Sequence, residues 1–567
     1  MAEKISGSEA LMRSLLAEGV DTIFGYPGGA IMPIYDALYD HREEINHILT
    51  RHEQGAIHAA QGYARVTGKP GICFATSGPG ATNLLTGIAD AQIDSTPLVC
   101  ITGQVTSPLL GTDAFQESDI VGMSMPVTKW NYQITRVEEI AGVVAKAFHV
   151  ATTGRPGPVL IDIAKDVQFA MAEFEYHKCT KIRSYIPYWP INMEQVEAAA
   201  AAINKAKKPF LLIGHGIIIS KAEEELKALI EKADIPAAWT LLGNSVLPPE
   251  HPLNMGMLGM HGHYGPNIKT NECDLLIAVG MRFDDRVTGK VSSYAKQAKI
   301  IHIEIDPSEI HKIIRADYPV LGDAKKVLNK LLPLVNEAKH EEWINEFRAC
   351  HEIEFEKVIK KDLHKNNGKS TMVEVVRKVY EKTEGKAIVV TDVGQQQMIA
   401  ARYSGFAQSR SFVTSGGLGT MGFGLPAAVG AQLGQPDRTV VTFVGDGGIQ
   451  MTIQELGTIA QENIPVKIVI LNNHFLGMVR QWQELFFEKR YSFTEIKSPD
   501  FVALANSYGI SAKRITKSNE LDDAVSEMLA HQGPFLLEVF VEKEDNVFPM
   551  VPAGSSVSDV ILEKPEQ

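Results

Sequence analysis

Short apolar runs alternate with amphipathic segments along most of the chain. Thr22 to Phe24, Gly71 to Ala75, Leu98 to Thr102 and Val159 to Ile163 have the length and residue types of strands. Segments of helical spacing lie between them. The first opens at Ser6-Gly7-Ser8-Glu9, which has capping-box spacing, and runs to about Glu18. The pattern recurs in Pro209 to Ile213, Leu275 to Val279 and Ile300 to Ile305. It recurs again in Ala387 to Thr391, Thr439 to Val444 and Val466 to Leu471. Strands joined by helices at this pitch imply parallel sheets.

A polar, aromatic stretch from Tyr176 to Pro190 and a charged helical stretch from Glu337 to Lys369 separate these runs and read as linkers. The expected organisation is an α/β fold of three doubly wound parallel-sheet domains, at 1–180, 190–336 and 370–545. Residues 546–567 have little periodicity and read as a mobile C-terminal arm. The length agrees with about three domains. The first and third units share a layout without a sequence repeat.

Composition narrows the partners. A net charge of −13 gives no reason to expect nucleic acid or an anionic membrane. The apolar runs are strand-sized and far short of a membrane span. The first residues carry no signal-type apolar run. The five cysteines are scattered, with no Cys-x-x-Cys, and read as free thiols of a cytoplasmic, reducing environment rather than a metal cluster.

The densest chemistry lies between Val444 and Asn473. One strand ends in Gly445-Asp446-Gly447-Gly448, a helical segment follows, and a second strand ends in Asn472-Asn473. Ligands bind at this carboxyl edge in open α/β sheets. A carboxylate and an amide oxygen are hard ligands suited to Mg2+, and glycines let backbone N–H groups approach a diphosphate. Gly-Asp-Gly followed at this distance by Asn-Asn matches the thiamine-diphosphate signature; the bland alternative is a strand–turn–helix with Asp446 as a cap. Gly214-His215-Gly216 is a weak dinucleotide hint without the third glycine. Thiamine chemistry also needs an apolar support and a carboxyl group on the pyrimidine ring. Met421, in the glycine-rich loop Ser415 to Gly424, and Glu53, opening a helix of small residues, are the candidates. A core methionine and an exposed first-turn carboxylate are the competing readings.

At this point the chain resembles the catalytic subunits of the acetohydroxyacid synthase (acetolactate synthase) family, of the biosynthetic FAD-containing type. The resemblance rests on Phe24 to Gly29, Arg51-His52-Glu53-Gln54, Thr76 to Gly80, Asp113 to Glu117, Gly154 to Pro158, Met257 to Gly262, Arg282-Phe283-Asp284-Asp285-Arg286 and Gly477 to Trp482. It implies pyrimidine-binding, FAD-binding and diphosphate-binding domains, and condensation of pyruvate with pyruvate or 2-oxobutanoate after decarboxylation. The cofactors would be thiamine diphosphate, Mg2+ and FAD. The partners would be a second copy completing each active site and a small regulatory subunit. Glu53 would hydrogen-bond the pyrimidine. Asp446, Asn473 and the Phe475 carbonyl would hold Mg2+. Gly29, Gln396, Gly419, Met421, Gly447 and Gly448 would touch the thiamine cofactor, and Phe115, Gln116 and Lys165 the substrate channel. Arg286 would pair with the acceptor carboxylate and Trp482 would shape its pocket. FAD would lie along Arg155, His261, Arg282, Glu304 and Asp323.

Taken alone, Arg286 could be a surface ion pair and Trp482 plain core. A pyruvate oxidase, a catabolic FAD-free acetolactate synthase and a non-catalytic scaffold are the alternatives. The Arg282 to Arg286 run and Trp482 weigh against the first two, and the intact Glu53, Asp446 and Asn473 against the third. Thr106, Gln396 and Ile399 stand where relatives commonly carry proline, histidine and tryptophan. Gln396 is expected to keep a hydrogen bond to phosphate without an ionisable group.

Overall fold

The computed structural model describes residues 3–363 and 368–564. Three six-stranded sheets, parallel throughout, form its framework. The first has spatial order Asn46–Leu49, Thr22–Gly25, Gly71–Ala75, Leu98–Gln104, Pro158–Ala164, Trp130–Ile134. The third runs Phe412–Thr414, Ile388–Thr391, Val440–Gly445, Lys467–Asn472, Phe535–Phe540, Ser511–Ile515. With strands counted within each sheet, both follow 2-1-3-4-6-5. The middle sheet follows 3-2-1-4-5-6, the doubly wound dinucleotide order. The strand order therefore reverses beside Ile388–Thr391 and Val440–Gly445 in the third sheet, and beside Pro209–Ile213 and Leu275–Val279 in the middle one.

The strands that escape a reading of apolar runs lie toward the sheet edges or are short. Trp130–Ile134 is half-buried over most of its length, and Ser511–Ile515 buries only its last residue. Such strands lack the continuous apolar run of one covered on both faces; Phe535–Phe540, buried inside the third sheet, escapes for another reason, the charged Glu538 that interrupts its run.

Ser6 caps the first helix, Gly7–Ala17, by accepting from Glu9 N at 3.2 Å. The capping box is only half made. The Glu9 carboxylate turns to Arg13 Nε at 2.6 Å and to His41 instead of returning to Ser6. In the expected helical linker, Glu341–Glu354 buries Trp343 and Phe347 on the middle domain, and residues 364–367 lie outside the described residues.

The expected mobile C-terminal arm is packed against the rest of the chain over the residues described. Val547, Met550, Val551 and Val557 are buried. Val551 N donates to Met260 O at 2.8 Å, and Lys290 N to Ser555 O at 2.9 Å. The arm lacks periodicity because it is fastened by irregular backbone pairs and isolated apolar side chains. Residues 565–567 lie outside the described residues.

The first and third sheets share one hydrophobic core. It forms where helix Glu53–Thr67 crosses helix Gly424–Gly434. A Cβ on Gly62 would fall within the Ala427 carbonyl, and one on Gly430 within the Ala59 carbonyl. The two backbones are therefore in contact. Gly430→Ala should destabilise the protein by at least about 2 kcal/mol, because backbone cannot move aside as a side chain can. Gly142, exposed in the helix Ile140–Thr152 with open space at its Cβ position, is the control. Gly142→Ala should stabilise by about 0.5–1 kcal/mol through helix propensity. Thermal unfolding of the two variants checks both, and a neutral Gly430→Ala would refute the close crossing.

Candidate functional site

Two spaces open at the carboxyl edges of the sheets. The smaller is a cleft of about 50 Å³ at the reversal point of the third sheet, lined by Asp446, Gly447, Gly448, Asn473, Phe475 and Gln396 among others. Asp446 begins a short helix directly after strand Val440–Gly445. Its Oδ2 accepts from Ser498 Oγ at 3.1 Å, while its Oδ1 is buried without a partner. Burial pushes its pKa up to about 6. Asn473 follows the neighbouring strand; its Oδ1 accepts from Phe475 N at 3.0 Å. Gly448 leaves no room for a side chain, since a Cβ would lie 2.7 Å from Asp392 Oδ1.

Among the described residues, no group of three or more His, Cys, Asp or Glu is arranged to hold a metal ion. A divalent ion here would be held by one carboxylate, neutral amide and carbonyl oxygens, and the ligand's own phosphates. That donor set suits Mg2+, which keeps few protein ligands when it binds phosphates. The free Asp446 Oδ1 fits this role, because a buried acceptor without a donor is otherwise costly.

Asp392, to which the sequence alone assigns no role, directly follows strand Ile388–Thr391 on the other side of the reversal point. It accepts from the N–H groups of Gly422, Gly424 and Val393 at 2.8–3.1 Å. It thereby ties down the far end of the glycine-rich loop. The near end is tied from the first domain. Asp94 accepts from Gly416 N at 2.8 Å and Gly417 N at 2.7 Å and pairs with Arg65 at 2.7 Å. Asp90 accepts from the hydroxyls of Ser415 and Thr420. The Gly416 and Gly417 N–H groups are therefore occupied and unavailable to a phosphate. Gly419, with φ +70° and open space at its Cβ position, is the free part of the loop.

The larger cavity, about 770 Å³, lies among the three domains. It sits at the reversal point of the middle sheet, where His215, Gly216, Gly280 and Arg282 meet. Arg155, His261, Glu304, Asp323, Gly419, Met421, Arg286 and Trp482 also line it. Arg155 is held by Asp306 at 3.1 Å, Glu309 at 2.9 Å and Ser95 at 2.9 Å. Burial pushes the Glu304 carboxyl up to about 7, although Oε1 accepts from Ile305 and Asp306 N–H. Burial pushes His261 down to about 4, and its Nδ1 has no partner. Asp323 caps the helix Ala324–Leu331 at the cavity edge. The Arg286 side chain is 63% exposed and meets only the similarly exposed Asp285, at 3.2 Å, so it is a weakly held cation at the rim. Trp482 is half-buried with its ring against Phe486.

Met421, Val393, Gly394, Met478 and Val479 line both spaces, which therefore adjoin. Gln396 lines the cleft, but its Nε2 donates to Val393 O at 3.1 Å, leaving its Oε1 toward the glycines.

Glu53, Gly29, Phe115, Gln116 and Lys165 line neither space. They follow strands of the first sheet. Glu53 Oε2 accepts from Asn83 Nδ2 at 2.9 Å. Phe115 is 88% exposed, and Gln116 has φ +58°. Their loop is nevertheless pre-shaped. The Glu117 carboxylate accepts from the N–H groups of Gly111, Thr112 and Ala114. Buried Asp162 holds Gln104, which donates to Ser118 O at 2.9 Å. Of the two groups of candidate site residues, one lines these spaces and the other, around Glu53, does not.

Asp392 had a legible signal, a carboxylate at a strand end before a glycine. Ser498, Asn83, Asp90 and Asp94 had none, since nothing local distinguishes them.

Comparison with known proteins gives a consistent picture. Family models match at residues 5–123 (thiamine pyrophosphate enzyme, N-terminal TPP binding domain), 196–331 (central domain) and 392–539 (C-terminal TPP binding domain). The chain is 46% identical over 559 residues to the acetolactate synthase isozyme 2 large subunit of Escherichia coli, covering 98% of this chain and 99% of that protein. It is 46% identical over 570 residues to the acetolactate synthase large subunit of Corynebacterium glutamicum, covering 98% and 90%. It is 43% identical over 578 residues to that of Haemophilus influenzae, covering 100% and 99%.

A carboxyl group whose pKa rises on folding, here from 3.8 to about 6, favours the folded state when protonated and disfavours it when charged. Asp446→Asn should therefore raise the Tm of the cation-free protein at neutral pH, with the gain shrinking as pH falls through about 6. The same variant should bind Mn2+ with inorganic diphosphate about tenfold or more weakly by calorimetry. Unchanged Mn2+ binding would remove Asp446 from the site.

Proposed function

The chain belongs to the acetolactate synthase large subunits of the thiamine pyrophosphate enzyme family, and from that premise we propose how its residues divide the work. The reaction is thiamine-diphosphate-dependent synthesis of 2-acetolactate from two pyruvates with loss of CO2, the step that leads to branched-chain amino acids. With 2-oxobutanoate as acceptor the product is 2-aceto-2-hydroxybutanoate.

Bound thiamine diphosphate supplies the acidic C2–H that makes decarboxylation of a 2-oxo acid accessible. Asp446, Asn473 and the Phe475 carbonyl hold Mg2+ against its diphosphate, and Gly447 and Gly448 admit the phosphates. The buried, unpartnered Asp446 Oδ1 beside Asn473 is the observation that carries this assignment. Met421, common to both spaces, backs the cofactor where they adjoin. FAD occupies the larger cavity along Arg155, His261, Arg282, Glu304 and Asp323 without taking part in the net reaction. The dinucleotide order of the middle sheet supports this. Arg286 pairs with the acceptor carboxylate at the cavity rim, and Trp482 sets the room for the acceptor's extra methyl group.

Glu53 of a second copy hydrogen-bonds the pyrimidine ring and holds its proton there, with Gly29, Phe115, Gln116 and Lys165 beside it. The exposed, pre-shaped Phe115–Gln116 loop supports a face completed by another chain. A small regulatory subunit is a further partner, since the relatives are called large subunits. The location is cytoplasmic. The five free cysteines fit a reducing compartment, and no helix among the described residues is long and apolar enough to cross a membrane.

A product assay with pyruvate and 2-oxobutanoate tests the function. Both acetohydroxy acids should form, depending on Mg2+ and thiamine diphosphate; oxygen-dependent acetyl phosphate would overturn it. Glu53→Gln should lower turnover by roughly 10²–10⁴-fold with cofactor still bound. Mixing and reassembling inactive Glu53→Gln and Asp446→Ala chains should restore roughly a quarter of parental activity, because each hybrid dimer has one intact site. No recovery in verified hybrids would refute a shared site. Trp482→Leu should reduce preference for 2-oxobutanoate over pyruvate by about tenfold, within the limit set by one methylene. An unchanged product ratio in competition would remove Trp482 from the acceptor pocket.

A further inference from the structure

The site as proposed uses only the second residue of the Asn472-Asn473 pair. Asn472 is the last residue of strand Lys467–Asn472 and is buried. Its Oδ1 accepts from His474 N at 3.1 Å, closing the turn that presents Asn473 and Phe475 to the cleft. His474 has φ +63°, a left-handed conformation uncommon for a non-glycine residue, so the turn needs such fastening. The Asn472 Nδ2 donates to Glu538 Oε1 at 2.8 Å. Glu538 is fully buried in the adjacent parallel strand Phe535–Phe540. Its second oxygen accepts from Arg514 Nε at 2.6 Å, from the next strand outward. Arg514 in turn donates to Asp500 at 2.7 Å.

The chemistry of this chain is directional. An asparagine amide can face His474 N–H with its oxygen or, wrongly, with its NH2 group. A carboxylate only accepts, so a charged Glu538 takes the NH2 group and leaves the oxygen for His474. A neutral amide at 538 would not enforce that choice. Arg514 offsets the buried charge, which would otherwise be costly.

We infer that Glu538 is a positioning residue for the divalent-cation site, acting through Asn472 on the turn that carries Asn473 and Phe475. This rests on the proposed cation ligands Asp446, Asn473 and Phe475. Outer residues that orient ligands typically alter metal affinity by about 10–100-fold.

The test is calorimetric titration of Mg2+ into the full-length protein with saturating thiamine diphosphate, paired with turnover at increasing Mg2+. Glu538→Gln and Asn472→Ala should each raise the Mg2+ Kd by about 10–100-fold. Raising Mg2+ should restore their turnover, with the KM for pyruvate near that of the parent. A merely structural role would leave the loss insensitive to Mg2+. Asn473→Ala is the control for the site. If it abolishes Mg2+ binding while Glu538→Gln and Asn472→Ala keep the parental Kd, the positioning role is overturned. If Asn473→Ala binds Mg2+ normally, the ligand assignment fails instead. Should Glu538→Gln not fold, Asn472→Ala decides the matter by the same criteria.

Discussion

The backbone contact between helices Glu53–Thr67 and Gly424–Gly434 is the constraint on which the rest depends. Gly62 and Gly430 let each helix seat against a carbonyl of the other, and the first and third sheets share one core as a result. Arg65, on the same helix as Gly62, then reaches Thr414 O at 2.6 Å and Asp94 at 2.7 Å. That places Asp90 and Asp94 against the glycine-rich loop. A loop that by composition should be mobile is pinned at both ends, leaving Leu418 and Gly419 free beside the cavity. Helix packing thus becomes local precision at the site.

Buried carboxylates mark the carboxyl edge of the third sheet, and hydrogen bonding separates their roles. Burial pushes both Asp392 and Asp446 up to about 6. The shift alone does not distinguish them. Asp392 is satisfied by N–H groups of the loop it holds, so its work is structural. Asp446 keeps one buried oxygen without a donor, which a cation would satisfy. In the middle domain, Glu304 and the unpartnered His261 Nδ1 mark the larger cavity in a similar way.

The two groups of site residues differ in how they are prepared. The cleft and the cavity are lined by one chain and adjoin at Met421. The Glu53 group lies on the first domain, and its Phe115–Gln116 loop is shaped by Glu117 and Asp162 while remaining exposed. Shaping a loop before a partner arrives lowers the ordering entropy lost on association, which suits the proposed contact with a second copy.

The amino-acid sequence by itself determined the three-unit α/β plan. The inner strands are apolar on both faces and their helices are regularly spaced, and both signals are local. It also pointed to Asp446, Gly447, Gly448 and Asn473, which line the cleft, because strand ends, glycines and the Asp–Asn spacing lie within one stretch. The family resemblance added Phe475, Arg286 and Trp482, and gave Glu53, already the carboxyl candidate, its role. Edge strands such as Ser511–Ile515 were not legible, because half-exposed strands lose the apolar signal. The packed arm beyond Asn546 was not legible, because isolated side chains fasten it. Only the tertiary structure decided that Asp392, Asp90 and Asp94 hold one loop, and that Glu538 reaches Asn472. Those contacts join residues tens to hundreds of positions apart, and sequence spacing carries no record of such distances. Nor does spacing tell that Glu53, in one chain, lines neither the cleft nor the cavity.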